Sequence, residues 1–467
     1  MGKVFGVALV GTYLVIVLFA VLNFLFIRSI AQRLGAESWA ALAGALTFSL
    51  ATPAFPYAGT LYQHHISVFL LLLAIWVLLR FQSMWSFAVV WFACALSVVI
   101  DNPNLFLMFP VGLLALSRLF QFMNLKLGTP FPWKKIAFGV ATFLAFVPPV
   151  AFFLWYNLSA YGNPFQLPGT LQSVTEIDAT GKPVTETASS SPEQRTSLSL
   201  ESGNEKTAIS FFDTRNTYKG FFIHFLSLDR GILVFTPVVL LGIFGLTFLY
   251  SRKQSIVSLL IATIGVNVLL YSMWGDPWGG WAFGSRYLIP TYALLAIGLA
   301  IALSNWGKRT WFLTLFLVLF TYSAWVNSLG AVTSLANPPE MQVLALEKQS
   351  NHEEKYTFLR NWEFLNGKYA PAIGSKSFVY QTWGKGHILA VTYHRIVFGF
   401  GILALAFVLV LAYFCLLYTS ASCLNQRIKI SDRYELSAQK HKILSCHHCP
   451  LVEAERDVFF TSLYSSA

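Results

Sequence analysis

Long apolar runs separated by short polar connections dominate the chain. A run of about 18 residues without internal charge is long enough to cross the hydrocarbon core of a bilayer, about 30 Å thick, as a helix. When shorter candidates are included, the pattern predicts about eleven such helices. The runs are continuously apolar and do not alternate with polar residues as the strands of a membrane barrel do. The sequence therefore predicts an all-α polytopic membrane protein.

The predicted helices differ in how clearly they stand out from the polar connections. The clearest are residues 5–27, 65–79, 136–156, 232–250, 255–273, 287–304, 311–329 and 396–417. Shorter candidates are residues 39–54, 86–100 and 105–116. Composition agrees with this class of protein, because 56% of the residues are hydrophobic and 11% are charged. A soluble domain would have about a quarter of its residues charged.

The basic residues of the short loops indicate the orientation of the helices. They fall in alternate connections, where Glu37 is the only acid. These residues are Arg28, Arg33, Arg80, Arg118, Lys126, Lys134, Lys135, Arg252, Lys253, Lys308 and Arg309. By the positive-inside rule these connections are cytoplasmic. The net charge of +11 is therefore explained by topology, and no basic stripe interleaved with aromatic residues indicates nucleic-acid binding.

The opposite connections are predicted to be external and include two large extracytoplasmic loops, residues 157–230 and 330–395. Residues 1–418 form the predicted transmembrane domain, and residues 419–467 form a cytoplasmic tail that is either disordered or non-native. An odd number of helices places Met1 outside. Either the chain inserts with its N-terminus outside, or an upstream helix is missing.

Polar candidates for a functional site cluster at the external ends of the predicted helices: His64, His65, Asp101, Arg230 and Arg286. Charged groups are nearly absent from the middle of the spans, which argues against a proton or ion relay. The sequence therefore predicts a shallow external cavity.

Most of these candidates also have a structural interpretation. The two histidines are then polar residues that close a helix at the membrane interface, and Asp101 is then a turn and helix-capping residue. Arg230 is then a boundary residue whose charge reaches the water, and Trp278 and Trp281 belong to an aromatic belt. Arg286 is harder to explain in this way, because an external arginine opposes the positive-inside bias.

The stretch "GDPWGGWAFGSRYLIP", residues 275–290, combines three features that suit a lipid-linked phosphosugar. The guanidinium of Arg286 can contact a phosphate at two points. Glycines let the backbone approach a ligand closely. The faces of Trp278 and Trp281 suit a lipid interface and a sugar ring.

This stretch, with "DRGILVFTPVVLLGIFGL" (residues 229–246) and "LATPAFPYAGTLYQHH" (residues 50–65), resembles bacterial membrane proteins of the C-type glycosyltransferase superfamily. Those relatives include protein mannosyltransferases and lipid A aminoarabinose transferases. The resemblance implies a polyprenyl-phosphate sugar donor, a lipid, glycan or protein acceptor at the outer face of the bacterial cytoplasmic membrane, and inversion at the anomeric carbon.

The resemblance also implies functional roles for particular residues. Of these roles, Arg286 matches the family's position for a group near the donor phosphate; the full set of predicted substrate-binding residues is Arg286, Trp278, Trp281, Tyr287, His64, His65 and Arg230. The family's catalytic acid lies in a first external loop after the first helix, and residues 6–46 resemble the family from its second helix onward. We therefore expect that helix and its acid-bearing loop to be missing and this chain alone to transfer little sugar. Asp101 is a weak candidate to replace the acid, and a supporting role in the cavity is the preferred interpretation.

No cofactor is indicated with certainty, and a divalent metal requirement stays open. A single CxxC, at Cys446 and Cys449 in the predicted tail, is weak support for zinc because no second pair stands at finger spacing. Two other functions remain as alternatives. One is a multi-pass transporter or lipid flippase, against which stand the lack of charges in the spans and of an internal repeat. The other is a noncatalytic membrane subunit or inactive fragment.

Overall fold

Helices account for nearly all the regular structure of the described residues. The computed structural model describes residues 8–81, 83–123, 133–166, 212–275, 277–279, 282–333, 358–367, 379–404 and 406. The chain divides into two compact units, Met1–Phe398 and Gly399–Ala467. Across the described ranges there is no strand, and one isolated bridge joins Phe212 to Trp274. The predicted all-α class is thus confirmed for this part of the chain.

The described part contains 6 helices that are long and apolar enough to cross a membrane. They are α1 (Ala8–Leu34), α6 (Asn104–Met123), α7 (Trp133–Tyr161), α11 (Gln254–Ser272), α12 (Arg286–Trp306) and α13 (Thr310–Val332). Shorter apolar helices are α2 (Ser38–Leu50), α4 (His64–Arg80), α5 (Met84–Ile100), α10 (Pro237–Tyr250) and α15 (Ala390–Ala404). The remaining helices are α3 (Ala54–Tyr57), α8 (Thr217–Phe225), α9 (Ile232–Phe235) and α14 (Phe358–Leu365). Eleven membrane spans therefore remain a prediction.

Two apolar segments differ from the sequence interpretation. Residues 105–116 were expected to form one of the shorter helices, but they belong to α6, which is 20 residues long. Residues 232–250 were expected to form one continuous helix, but the chain breaks at Thr236 between α9 and α10. Proline disfavours helical dihedrals in the residue before it, and Thr236 has φ −156° and ψ 52° before Pro237.

The two predicted external loops contain helical structure where they are described. Within residues 157–230, α7 continues to Tyr161 and α8 forms near the other end. Within residues 330–395, α14 and a π-helical turn at Tyr380–Gly384 are present. The Ser- and Thr-rich segment at residues 170–206 and the predicted tail at residues 419–467 lie outside the described residues.

Helix α12 occupies the centre of the bundle. Every residue from Ile289 to Leu303 is buried. The helix packs against α1, α2, α4, α10, α11 and α13. Many of its side chains are small, which permits close helix approach. Because Arg286 is the first residue of α12, the predicted site rests on the most enclosed of the six long apolar helices in the described part of the chain.

Glycines determine how closely α10 approaches α12. A Cβ added at Gly245 would lie 1.8 Å from the carbonyl oxygen of Gly298, and one added at Gly242 would lie 2.0 Å from that of Leu295. These distances are far below van der Waals contact with backbone atoms that cannot rotate away. Any side chain at either position therefore forces the two helices apart.

We predict that Gly245→Ala lowers the stability of the folded bundle by about 1 to 3 kcal/mol, the usual cost of overpacking. Gly265→Ala is a matched control, because Gly265 also lies within a helix but has nothing within 4 Å of its added Cβ. The control should be neutral or slightly stabilising, since alanine favours helix over glycine. Thermal unfolding in detergent compares the two variants, and equal midpoints would contradict the close packing.

Candidate functional site

The connection between α11 and α12 carries the candidate site. Gly279 and Gly284 adopt positive φ values of 74° and 60°, which favour glycine. An added Cβ at Gly279 would lie 2.8 Å from the Tyr287 ring, and one at Gly284 would lie 3.0 Å from Pro53. The sequence interpretation assigned these glycines to close approach of a ligand. In the structure they allow close approach of the protein's own side chains.

Arg286 lies in an aromatic setting at the start of α12. Its guanidinium carbon is 5.1 Å from the centre of the Tyr62 ring and 5.3 Å from that of Tyr287. One terminal nitrogen donates to the carbonyl of Gly279 at 3.1 Å. Its buried Nε atom has no hydrogen-bond partner among the described residues. Arg286 is therefore held in position and retains unused donor capacity.

Asp101 lies between α5 and α6, close to Arg286. Its backbone is extended, and its carbonyl oxygen accepts from Asn104 N–H at 2.9 Å. The carboxylate is hydrogen-bonded to the side chain of Gln63. The expected turn is thus present. The backbone carbonyl of Asp101 accepts the hydrogen bond from Asn104, the first residue of α6, where the capping interpretation expected the carboxylate to accept it.

Burial raises the pKa of Asp101 from 3.8 to about 6, although Gln63 and the charge of Arg286 both oppose the rise. The described residues contain no contact ion pair between Asp101 and Arg286, so the two charges interact beyond contact distance. A carboxyl group with a pKa of about 6 can exchange a proton near neutral pH.

His64 and His65 are adjacent in sequence but have different surroundings. Both side chains are buried, with 6% and 2% exposure. His65 uses both ring nitrogens inside the fold: Nε2 contacts the carbonyl of Ala54 at 2.8 Å, and Nδ1 contacts Asn23 at 3.4 Å. His64 stacks on Tyr62, but its Nε2 atom has no partner among the described residues. His65 therefore connects parts of the fold, whereas His64 retains an unused polar atom.

Arg230 is buried, with 1% exposure, so its charge does not reach the water as the boundary interpretation expected. Its Nε atom donates to the carbonyl of Trp278 at 2.9 Å, and its guanidinium lies 4.5 Å from the centre of the Trp278 ring. Arg230 and Arg286 thus donate to the successive carbonyls of Trp278 and Gly279. The two arginines hold the same short segment, and the Trp278 ring packs against Arg230.

Tyr287 stacks on Tyr271 of α11 with ring centres 4.5 Å apart and an interplanar angle of 3°. Its backbone carbonyl accepts from Asn267 at 3.2 Å. Ser285, two residues before Tyr287, is hydrogen-bonded to His224 of α8 at 2.5 Å. These contacts fix the backbone on both sides of Arg286. Trp281, the remaining predicted binding residue, lies outside the described residues.

Sequence reasoning missed Tyr57, Gln63 and His224. The Tyr57 hydroxyl accepts from Phe283 N–H at 3.1 Å and donates to its carbonyl at 3.2 Å, which connects α3 to the α11–α12 connection. Tyr57 and Gln63 are in the stretch "FPYAGTLYQHH", where the histidines were the clearer chemical signal. His224 is in a loop that was expected to be external and polar, and nothing in the local pattern distinguishes it.

The described residues contain no group of three or more His, Cys, Asp or Glu side chains that could hold a metal ion. The requirement for a divalent metal therefore stays open, and the CxxC at residues 446–449 lies outside the described part. No family model, curated protein or solved structure matches the chain.

Proposed function

We propose that this protein is a membrane glycosyltransferase that moves a sugar from a polyprenyl-phosphate donor to an acceptor at the outer face of a bacterial cytoplasmic membrane. The observation that carries the proposal is the arrangement of Arg286 and Asp101, which interact electrostatically without a contact ion pair, beside aromatic rings. A phosphosugar presents a negative group that suits the arginine, and an attacking hydroxyl needs a group that accepts its proton. The helices that surround this arrangement suit a lipid-linked substrate.

Arg286 is the proposed phosphate ligand. Sugar transfer breaks the bond between the anomeric carbon and the phosphate oxygen, so negative charge grows on the leaving phosphate. A fixed cation aimed at that charge stabilises the transition state. The contacts of Arg286 to Gly279, Tyr62 and Tyr287 restrict its movement, as this role requires.

Asp101 is the proposed proton acceptor or a supporting group for it. The acceptor hydroxyl loses a proton as its oxygen bonds to the anomeric carbon, and a nearby carboxylate can take that proton. Gln63 orients the carboxylate by its hydrogen bond. The raised pKa of Asp101 makes it a better base than an exposed aspartate.

Donor binding tests this proposal directly, because binding requires the phosphate site but no proton transfer. In nanodiscs, we expect a polyprenyl-phosphate sugar and a polyprenyl phosphate to bind saturably, and a polyprenol without phosphate to bind at least about 10-fold more weakly. Binding of all three with equal affinity would contradict the phosphate site. Movement of the intact lipid-linked sugar across the bilayer, with no cleavage of its anomeric bond, would instead support a flippase.

A further inference from the structure

His64 is the second side chain of the candidate site that combines a buried position with an unused polar atom. Its Nε2 atom has no hydrogen-bond partner among the described residues, and the side chain is 6% exposed. A buried ring nitrogen without a partner is unfavourable unless a ligand completes it. The neighbouring His65, which has both ring nitrogens in contact with the protein, is the internal comparison.

The ring of His64 is fixed by its aromatic neighbours. It stacks on Tyr62 with ring centres 5.9 Å apart and is nearly perpendicular to the Tyr57 ring, with ring centres 5.6 Å apart. Tyr57 is itself fixed by two hydrogen bonds to the backbone of Phe283. His64 therefore has a defined orientation, and its unused nitrogen is a fixed feature of the site.

The same aromatic ring connects His64 to Arg286. Arg286 lies 5.1 Å from the centre of the Tyr62 ring on which His64 stacks. The charge of Arg286 acts electrostatically on the His64 imidazole. Arg286 also has a buried nitrogen without a partner, at Nε. Two unused nitrogens thus belong to neighbouring side chains of one cluster.

Two positive groups near these nitrogens favour an anionic ligand, and the Asp101 carboxylate is the one opposing charge among the site residues described above. Arg286 repels a cation, and His64 is the first residue of α4, so the positive end of that helix lies at the same place. The residue before it, Gln63, is hydrogen-bonded to Asp101. The Gln63 side chain is therefore used by the Asp101 carboxylate, whereas Nε2 of His64 is left to bind an anion.

We propose that His64 is a second phosphate-binding side chain of this site, and that its Nε2 atom donates a hydrogen bond to the same phosphate group that Arg286 contacts. This inference rests on the proposed function, because the phosphate is that of the lipid-linked donor. His64 and Arg286 together would contact a phosphate through the two nitrogens that the fold leaves unused.

Two variants of His64 test the inference. His64→Phe keeps a ring that can stack on Tyr62 but removes the donor, whereas His64→Gln keeps a side-chain N–H close to the position of Nε2. We expect the Phe variant to bind a polyprenyl phosphate at least about 10-fold more weakly than the wild type, and the Gln variant to keep most of the affinity. Equal weakening in both variants, or wild-type affinity in the Phe variant, would overturn the role of Nε2.

Inorganic phosphate is the second probe, and it distinguishes a lipid headgroup from free phosphate as the bound group. Loss of affinity for both probes in His64→Phe supports the shared phosphate contact. If His64→Phe keeps its affinity for both probes, the shared phosphate contact is overturned. If the variants do not fold, NMR of the histidine side chains in the wild type replaces them, and an Nε2 signal of His64 that does not respond to either probe overturns the inference.

The inference and the proposed function fail in different ways. If His64→Phe loses phosphate binding but the wild type moves the intact lipid-linked sugar across the bilayer without cleaving its anomeric bond, the phosphate contact stands and the glycosyltransferase proposal fails. If sugar is transferred and Arg286→Ala weakens donor binding while His64→Phe does not, only the inference fails. Absence of any phosphate binding by the wild type overturns both.

Discussion

Arg286→Ala is expected to reduce sugar transfer by at least about 100-fold in a form of the protein that turns over donor, because removal of one preorganised group aimed at developing charge typically costs about 2.7 to 4 kcal/mol. Donor binding should weaken as well, since the ground-state phosphate already carries negative charge. The defect should therefore appear in both KM and kcat. Arg286→Lys should recover only part of the loss, because an ammonium lacks the planar fork of a guanidinium.

Arg252→Ala is the matched control for this experiment. Arg252 also lies over an aromatic ring, 4.7 Å from the centre of Phe248, but it belongs to the α10–α11 connection away from the candidate site. Its loss should leave transfer unchanged. Because Arg286 also donates to Gly279, activity must be normalised to folded protein, measured by gel filtration and thermal unfolding. Wild-type donor binding and turnover per folded Arg286→Ala molecule would remove Arg286 from the proposed mechanism.

Asp101→Asn should lower transfer by about 100-fold or more if Asp101 accepts the proton, because general acid–base groups contribute about 10² to 10⁴. Asparagine has nearly the same shape and can still hydrogen-bond to Gln63, so donor binding should change little. The expected signature is a fall in kcat with little change in donor affinity. A variant with wild-type kcat would exclude Asp101 as the proton acceptor.

The same variant has an expected effect on stability that does not depend on activity. The pKa of Asp101 is about 6 in the folded protein and 3.8 in its ordinary state, so the folded state binds more protons between these values. Wild-type stability should therefore fall as pH rises from about 4 to about 6, and the loss should persist at higher pH. Asp101→Asn removes this contribution and should be at least as stable as the wild type at pH above about 7. Thermal unfolding across this pH range makes the measurement, and identical pH profiles would contradict the raised pKa.

Hydropathy predicted the all-α class correctly because most long apolar runs correspond to one helix each in the described residues, whereas residues 232–250 form two. It did not predict where a helix breaks or how far it extends. Thr236 interrupts an apolar run through the backbone preference of Pro237, and α6 continues through Pro110. Apolar content alone does not encode either feature.

The candidate site was predicted only in part. Arg286 stood out because an external arginine opposes the charge bias of the loops, whereas His64 and His65 were indistinguishable in sequence. Their difference comes from distant partners, since His65 meets Asn23 and Ala54 while Nε2 of His64 meets neither. The burial of Arg230 likewise depends on Trp278, which is 48 residues away. Such contacts arise from tertiary packing and leave no local pattern.

The central position of α12 determines when the site forms during synthesis. The helices α1, α2, α4 and α10 pack against α12 and are all translated before it. Asp101 and His64 are also made before Arg286, which opens α12. A growing chain therefore carries a carboxyl group in a partly assembled bundle until its cationic counterpart emerges from the ribosome. Substitutions in α12 should thus disturb the packing of the earlier helices during synthesis as well as the finished site.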